Sequence, residues 1–224
     1  MPIITEKRLW QDKKLKVVAF GNSITATRNT IHQVYAQRLP QILAKKGVMA
    51  EVINAGVPGS HTGSINDHSL FKIQHGLDRF DSDVLAHHPD LVIIGFGTND
   101  AHIDGSDPKG PSRIPVKDYE NNLTFMIKTL QENQIKVILL APNTLGKKFP
   151  GYQNERLRLY VNTVRTLSKT YQTGLVDNFK LFMDFQKNTG NPIDDLLLDG
   201  VHPNDVGHQL MAEEMGQEII HIMK

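Results

Sequence analysis

An apolar run that ends abruptly in a polar turn constrains this chain more than any other stretch. Val17-Val18-Ala19-Phe20 leads straight into Gly21-Asn22-Ser23-Ile24-Thr25. Four consecutive apolar residues suit a strand covered on both faces, as in a parallel sheet. Gly21 lets the backbone turn without a Cβ clash and leaves Ser23 at the C-terminal end of the strand. In open α/β sheets that edge is where ligands bind, so a hydroxyl there is a candidate nucleophile. A serine in this place can equally cap a helix or satisfy the turn, and the rest of the chain must decide between the two.

Strand and helix patterns alternate to the C-terminus, which predicts one α/β domain over residues 1–224. Strands are expected at Leu15–Phe20, Glu51–Asn54, Leu91–Phe96, Lys136–Ala141 and Gly174–Val176. Helices are expected at Tyr35–Lys46, Val116–Gln134, Glu155–Tyr171 and Asp205–Met223, with a short one at Phe179–Phe185. Pro40 falls inside the first of these, as a start or a kink. Ser64–His88 reads as mostly helical, with Leu70, Ile73, Leu77 and Phe80 on one face. Asn204 is placed to cap the last helix, with Asp205 at the positive end of its dipole. Ala101–Pro115 and Asn191–Asn204 read as loops.

Three strand ends carry polar, Gly-rich turns: Gly21-Asn22-Ser23, Gly56-Val57-Pro58-Gly59-Ser60 and Gly97-Thr98-Asn99-Asp100. A parallel sheet puts all three on one edge. A fourth turn, Asp199-Gly200-Val201-His202-Pro203-Asn204, precedes the last helix. Within it Asp199 can hold one imidazole nitrogen of His202, leaving the other to take a proton from a serine, the relay that acyl transfer needs. Backbone N–H groups at Ser23 and Gly59, with the Asn99 amide, supply donors for a developing oxyanion. Each turn also has a plain structural reading as loop punctuation or helix start. It is their joint order that favours chemistry.

These four blocks resemble those of the SGNH subgroup of the GDSL esterase/lipase family, and their order and spacing extend from about Leu15 to the C-terminus. The resemblance implies a flavodoxin-like, three-layer α/β/α sandwich around a sheet of about five parallel strands. It implies Ser23 as nucleophile, His202 as general base, Asp199 as its orienting partner, and an oxyanion hole from Ser23, Gly59 and Asn99. No cofactor and no metal are expected. The family's usual Asp before the serine is Asn22 here, which keeps an acceptor and loses the charge. Asn22 and His102 are expected to contact substrate.

Composition removes several other classes. Net charge is +1 without a basic block, so nothing points to nucleic acid or an anionic membrane. Cysteine is absent, which excludes thiol catalysis and disulfides. No apolar span reaches the roughly 18 residues of a membrane helix, and the N-terminus lacks a signal-like apolar core. The default location is cytoplasmic, although a secreted form trimmed of its leader would read alike.

Thr25 stands where an α/β-hydrolase elbow would need its second glycine. The chain has 10 His but no His-Glu-x-x-His, and His61, His68 and His75, seven apart, read as a surface stripe rather than a metal site. A flavodoxin-like phosphate or nucleotide binder would leave Asp199 and His202 without a role. A lysophospholipase or thioesterase would use the same four turns. The expected partner is a small acyl ester, an acetylated carbohydrate among the candidates, with specificity walls from His61–Phe71, Ala101–Pro115 and the region after Pro142. Oligomeric state is left open. A neutral histidine base sets the rise of activity at about pH 6–7.5.

Overall fold

A computed structural model of the chain describes residues 13–224. Five strands form one parallel sheet: β1 Leu15–Gly21, β2 Ala50–Gly56, β3 Leu91–Gly95, β4 Lys136–Ala141 and β5 Gly174–Asp177. Their spatial order is β2-β1-β3-β4-β5. The chain leaves β1 toward one side to make β2, then returns past it to make β3. That reversal opens a crevice at the C-terminal ends of β1 and β3, the usual ligand position of doubly wound sheets.

The helices are α1 Tyr35–Ala44, α2 Gly76–Asp83, α3 Thr98–Ala101, α4 Val116–Glu132, α5 Gly151–Tyr171, α6 Asn178–Thr189 and α7 Asp205–Ile222. Side chains of a strand alternate between faces, and the core divides accordingly. Val18 and Phe20 of β1 pack with Phe80 of α2, Leu123 and Ile127 of α4 and Val161 of α5. Leu15, Val17 and Ala19 pack on the other face with Leu39 of α1 and Met211 and Met215 of α7. The result is a three-layer α/β/α sandwich. Each large apolar side chain shut inside these layers contributes about 1.5–3 kcal/mol, so the sheet edge rests on a rigid support.

Helix α1 continues through Pro40 and gives up one backbone hydrogen bond there. Burial of Tyr35, Ala36, Leu39 and Leu43 along one stripe outweighs that loss. The largest departure from expectation is Ser64–His88, of which only α2 and a single turn of tighter helix at Leu85–His87 are helical. Polar side chains capture the backbone donors that a helix would need. Asp67 accepts from Ser64 N–H, Ser64 Oγ from Asn66 N–H, and His68 Nδ1 from Leu70 N–H. Such local bonds compete with helix, and Leu70, expected on one face with Phe80, is 60% exposed while Phe80 is buried.

The expected histidine stripe dissolves with that helix. His61 and His75 are fully buried, their rings stacked with centroids 3.5 Å apart. His75 Nδ1 accepts the His61 N–H, and His75 Nε2–H donates to Phe71 O. Burial, aided by the facing His75, pushes His61 down to about 3, so the ring stays neutral.

Candidate active site

Four segments meet at the C-terminal edge of the sheet. After β1 the chain turns at Asn22, whose Oδ1 accepts the Ile24 N–H at 2.9 Å while its backbone oxygen accepts from Thr25 and Ala26. This turn leaves Ser23 facing outward. Asn22 itself is buried and does not line the cleft beside Ser23. In place of the expected substrate contact, the Asn22 amide closes the turn, which an uncharged side chain performs well. Arg79, buried in α2, donates to Gly21 O at 2.6 Å and to Ala55 O at 2.7 Å. It ties the ends of β1 and β2 together beneath the turn, with its guanidinium 4.3 Å from the centre of the Phe20 ring.

The second segment follows β2. Gly59 has φ +80°, a backbone shape that favours glycine. The Gly59 and Ser23 N–H groups have no acceptor among the described residues. Asn99, on α3 after β3, donates one amide hydrogen to Ser60 O at 2.8 Å, which sets its rotamer and leaves its second hydrogen available. Beside it Asp100 is fully buried and accepts from Thr62 N–H at 2.8 Å, Thr62 Oγ–H at 2.6 Å and Gly97 N–H at 3.0 Å. These bonds lash the segment after β2 to the segment after β3. Burial raises the Asp100 carboxyl to about 6, with the three donors pulling the other way.

The fourth segment is a loop pinched shut by bridge pairing between Leu197 and Pro203. Gly200 at φ +88° lets it double back, and Gly146 N–H and Asn143 Nδ2 hold it through Gly200 O and Val201 O. Asn204 Oδ1 then accepts from Val206 and Gly207 N–H and starts α7. Asp199 Oδ1 accepts the backbone N–H of Val201 and of His202, which aims Oδ2 at the ring. His202 Nδ1 lies 2.7 Å from Asp199 Oδ2, and His202 Nε2 lies 2.9 Å from Ser23 Oγ.

Burial would raise the Asp199 carboxyl, but the hydrogen bonds from His202 and Val201 outweigh it and bring it down to about 2. Burial also lowers His202; Asp199 opposes that fall and the nearby Arg28 charge adds to it. The pair thus rests as carboxylate and neutral imidazole, with Nδ1–H donating to Asp199 and Nε2 free to accept from the Ser23 hydroxyl.

A cleft of about 330 Å³ opens over Ser23 and His202. Gly59, Asn99 and His102 line it, and the three segments expected to supply walls contribute Phe71, Arg113 and Leu145 among others. Arg28 also lines it, a residue that sequence reasoning misses. It sits in the loop after the Ser23 turn, and no motif marks it.

Residues 19–210 match the family described as GDSL-like Lipase/Acylhydrolase. The chain belongs to that family. It is 31% identical over 190 residues to a Bacillus subtilis protein described as the uncharacterized lipoprotein YqeF, covering 75% of this chain and 72% of that one. Among solved structures it resembles a lipase/acylhydrolase from Enterococcus faecalis, with a TM-score of 0.73 and 28% identity over 94% of this chain and 97% of the other. An acetyl xylan esterase, AlAXEase, aligns with a TM-score of 0.73 and 27% identity over 92% of this chain and 100% of its own.

This GDSL-like acylhydrolase is accordingly a hydrolase of ester bonds, with the sheet architecture of its structural neighbours. Among the described residues no helix is long and apolar enough to cross a membrane, and no group of three or more His, Asp or Glu could hold a metal ion. A lipoprotein among its relatives means that family membership carries no cytoplasmic assignment.

Proposed function

We propose that this acylhydrolase is a serine esterase that removes small or sugar-linked acyl groups through an acyl-enzyme on Ser23. The observation that carries the reading is the unbroken line from Asp199 Oδ2 through the His202 ring to Ser23 Oγ, at 2.7 and 2.9 Å. His202 takes the hydroxyl proton as Ser23 Oγ bonds to the ester carbonyl carbon. Asp199 keeps the ring in the required tautomer and steadies its positive charge. The Ser23 and Gly59 N–H groups and the free Asn99 amide hydrogen receive the oxyanion. His202 then gives its proton to the departing alcohol oxygen, and water repeats the sequence to release the acid.

Two features favour short acyl groups. The cleft lies near the small end of the roughly 300–1,000 Å³ range for ligand sites, and Leu145, Leu157 and Phe149 give it apolar walls. Its likeness to an acetyl xylan esterase supports an acetylated carbohydrate as substrate. Across p-nitrophenyl acetate, butyrate and octanoate, kcat/KM is expected to fall by about tenfold or more from acetate to octanoate. Release of acetate from acetylated xylo-oligosaccharides is the companion assay. A kcat/KM that climbs to octanoate would reject this reading in favour of a lysophospholipase or long-chain thioesterase.

The base must be neutral to act, and His202 is held below its ordinary value by burial and by Arg28. Activity is therefore lost only as pH falls through a value below the usual histidine figure of about 6.5. The acid limb moves below the middle of the window expected from sequence. A pH profile of kcat/KM with that limb centred above about 7 would contradict a buried His202 base.

A further inference from the structure

The titratable groups around the cleft are all basic ones. Arg28, Arg113, His102 and His202 line it, and no carboxylate among the described residues does. Arg113 is already neutralised, since its guanidinium bonds both oxygens of Asp104 and lies over the Phe71 ring. Arg28 differs. Its side chain makes no hydrogen bond or ion pair among the described residues, and its Nη1 is shut off from solvent without a partner. That nitrogen forgoes both hydration and pairing, which costs free energy unless a ligand supplies the acceptor.

The position of Arg28 also says which part of an ester it meets. His202 Nε2 hands its proton to the departing oxygen, so the alcohol half must lie on the His202 side of Ser23, away from the Gly59 and Asn99 donors. Arg28 lines the same cleft as His202, and its charge acts on the His202 ring.

We propose that Arg28 binds an oxyanion carried by the alcohol half of the ester, making acyl esters of carboxylate-bearing or phosphate-bearing alcohols the preferred substrates. Arginine suits this role because its planar fork matches a carboxylate or phosphate in a two-point contact. An unpartnered side chain can be exchanged without leaving a neighbour's hydrogen-bonding group unsatisfied. The inference rests on the serine esterase reading above and deepens it by naming the charge of the substrate.

The test compares 3-acetoxybenzoate, its neutral methyl ester and 3-acetoxyphenyl phosphate, on wild type and on the Arg28→Gln, Arg28→Lys and Arg28→Glu variants. The readout is the ratio of kcat/KM for each charged ester to that for the neutral one, so any general effect of a variant divides out. Relative to Arg28→Gln, wild type is expected to favour an anionic ester by about 10- to 100-fold, with Arg28→Lys in between. Arg28→Glu should turn the preference into rejection, and added salt should erode the wild-type preference. The better of the two anionic esters identifies carboxylate or phosphate as the natural group. Equal ratios in wild type and Arg28→Gln, with the neutral ester still hydrolysed, would overturn the Arg28 assignment alone. No hydrolysis of any ester by folded wild type would overturn both it and the esterase reading.

Discussion

Ser23→Ala is expected to lower kcat on p-nitrophenyl acetate by on the order of 10⁴-fold or more, with the fold intact. The methyl group leaves no nucleophile, while Asn22, Arg79 and the strand pairing beneath the turn are untouched. His202→Ala should cost about the same, because Ser23 Oγ sits 2.9 Å from Nε2 and no other side chain among the described residues is hydrogen-bonded to it. Residues that act as one unit are not additive, so the double variant should be little worse than either single one. Residual turnover over water then measures what the N–H groups of Ser23 and Gly59 and the Asn99 amide achieve without a nucleophile. Two single losses that multiply in the double variant would mean that Ser23 and His202 act independently.

Asp100→Ala should destabilise the protein by about 3 kcal/mol or more, since it leaves three buried donors without an acceptor at about 1–3 kcal/mol each. The effect carries a pH signature. Burial raises the folded-state carboxyl to about 6, against roughly 3.9 in the unfolded chain. The folded protein therefore holds this proton more tightly, and the stabilisation by Asp100 is fully present below about pH 4 and declines as pH rises through 6. The stability gap between wild type and Asp100→Ala is expected to be widest at about pH 4 and narrower at about pH 7.5. Urea midpoints at the two pH values check this. A gap that widens with pH would mean that the charged form is the better-bonded one. The variant should also lose activity, by about tenfold in kcat, because Asp100 sets the distance between the Gly59–Thr62 segment and Asn99.

Much of this arrangement is legible in the sequence. Apolar runs at β1, β3 and β4 mark strands buried on both faces, and the turns after them fall on one edge because parallel strands leave no other choice. Asp199 and His202 can be paired on paper since a turn brings them within reach. What escapes is whatever depends on side chains answering one another across the chain. Asn22 reads as a residue beside substrate, yet it is buried and its amide oxygen accepts the Ile24 N–H. Arg79 looks like an ordinary polar position in a short amphipathic helix, and only packing reveals it clasping Gly21 and Ala55.

The same limit explains Ser64–His88. Its apolar positions have helical spacing, but Ser64, Asp67 and His68 divert the backbone donors, and spacing alone carries no record of that competition. His61 and His75, solvated on a helical reading, become a buried stack as a result. Arg28 leaves no trace in sequence because its distinction is the absence of a partner. A missing contact cannot be read from a string of residues.

The central claim is that Ser23 is an activated nucleophile, and intact-mass spectrometry after treatment with a fluorophosphonate tests it most directly. The reagent phosphonylates a serine only where a base removes its proton and donors hold the resulting oxyanion. One adduct per chain on wild type and none on Ser23→Ala is the expected result, with labelling lost on raising the proton concentration enough to charge His202. An unlabelled, well-folded wild type, or a Ser23→Ala protein that labels equally, would contradict the account.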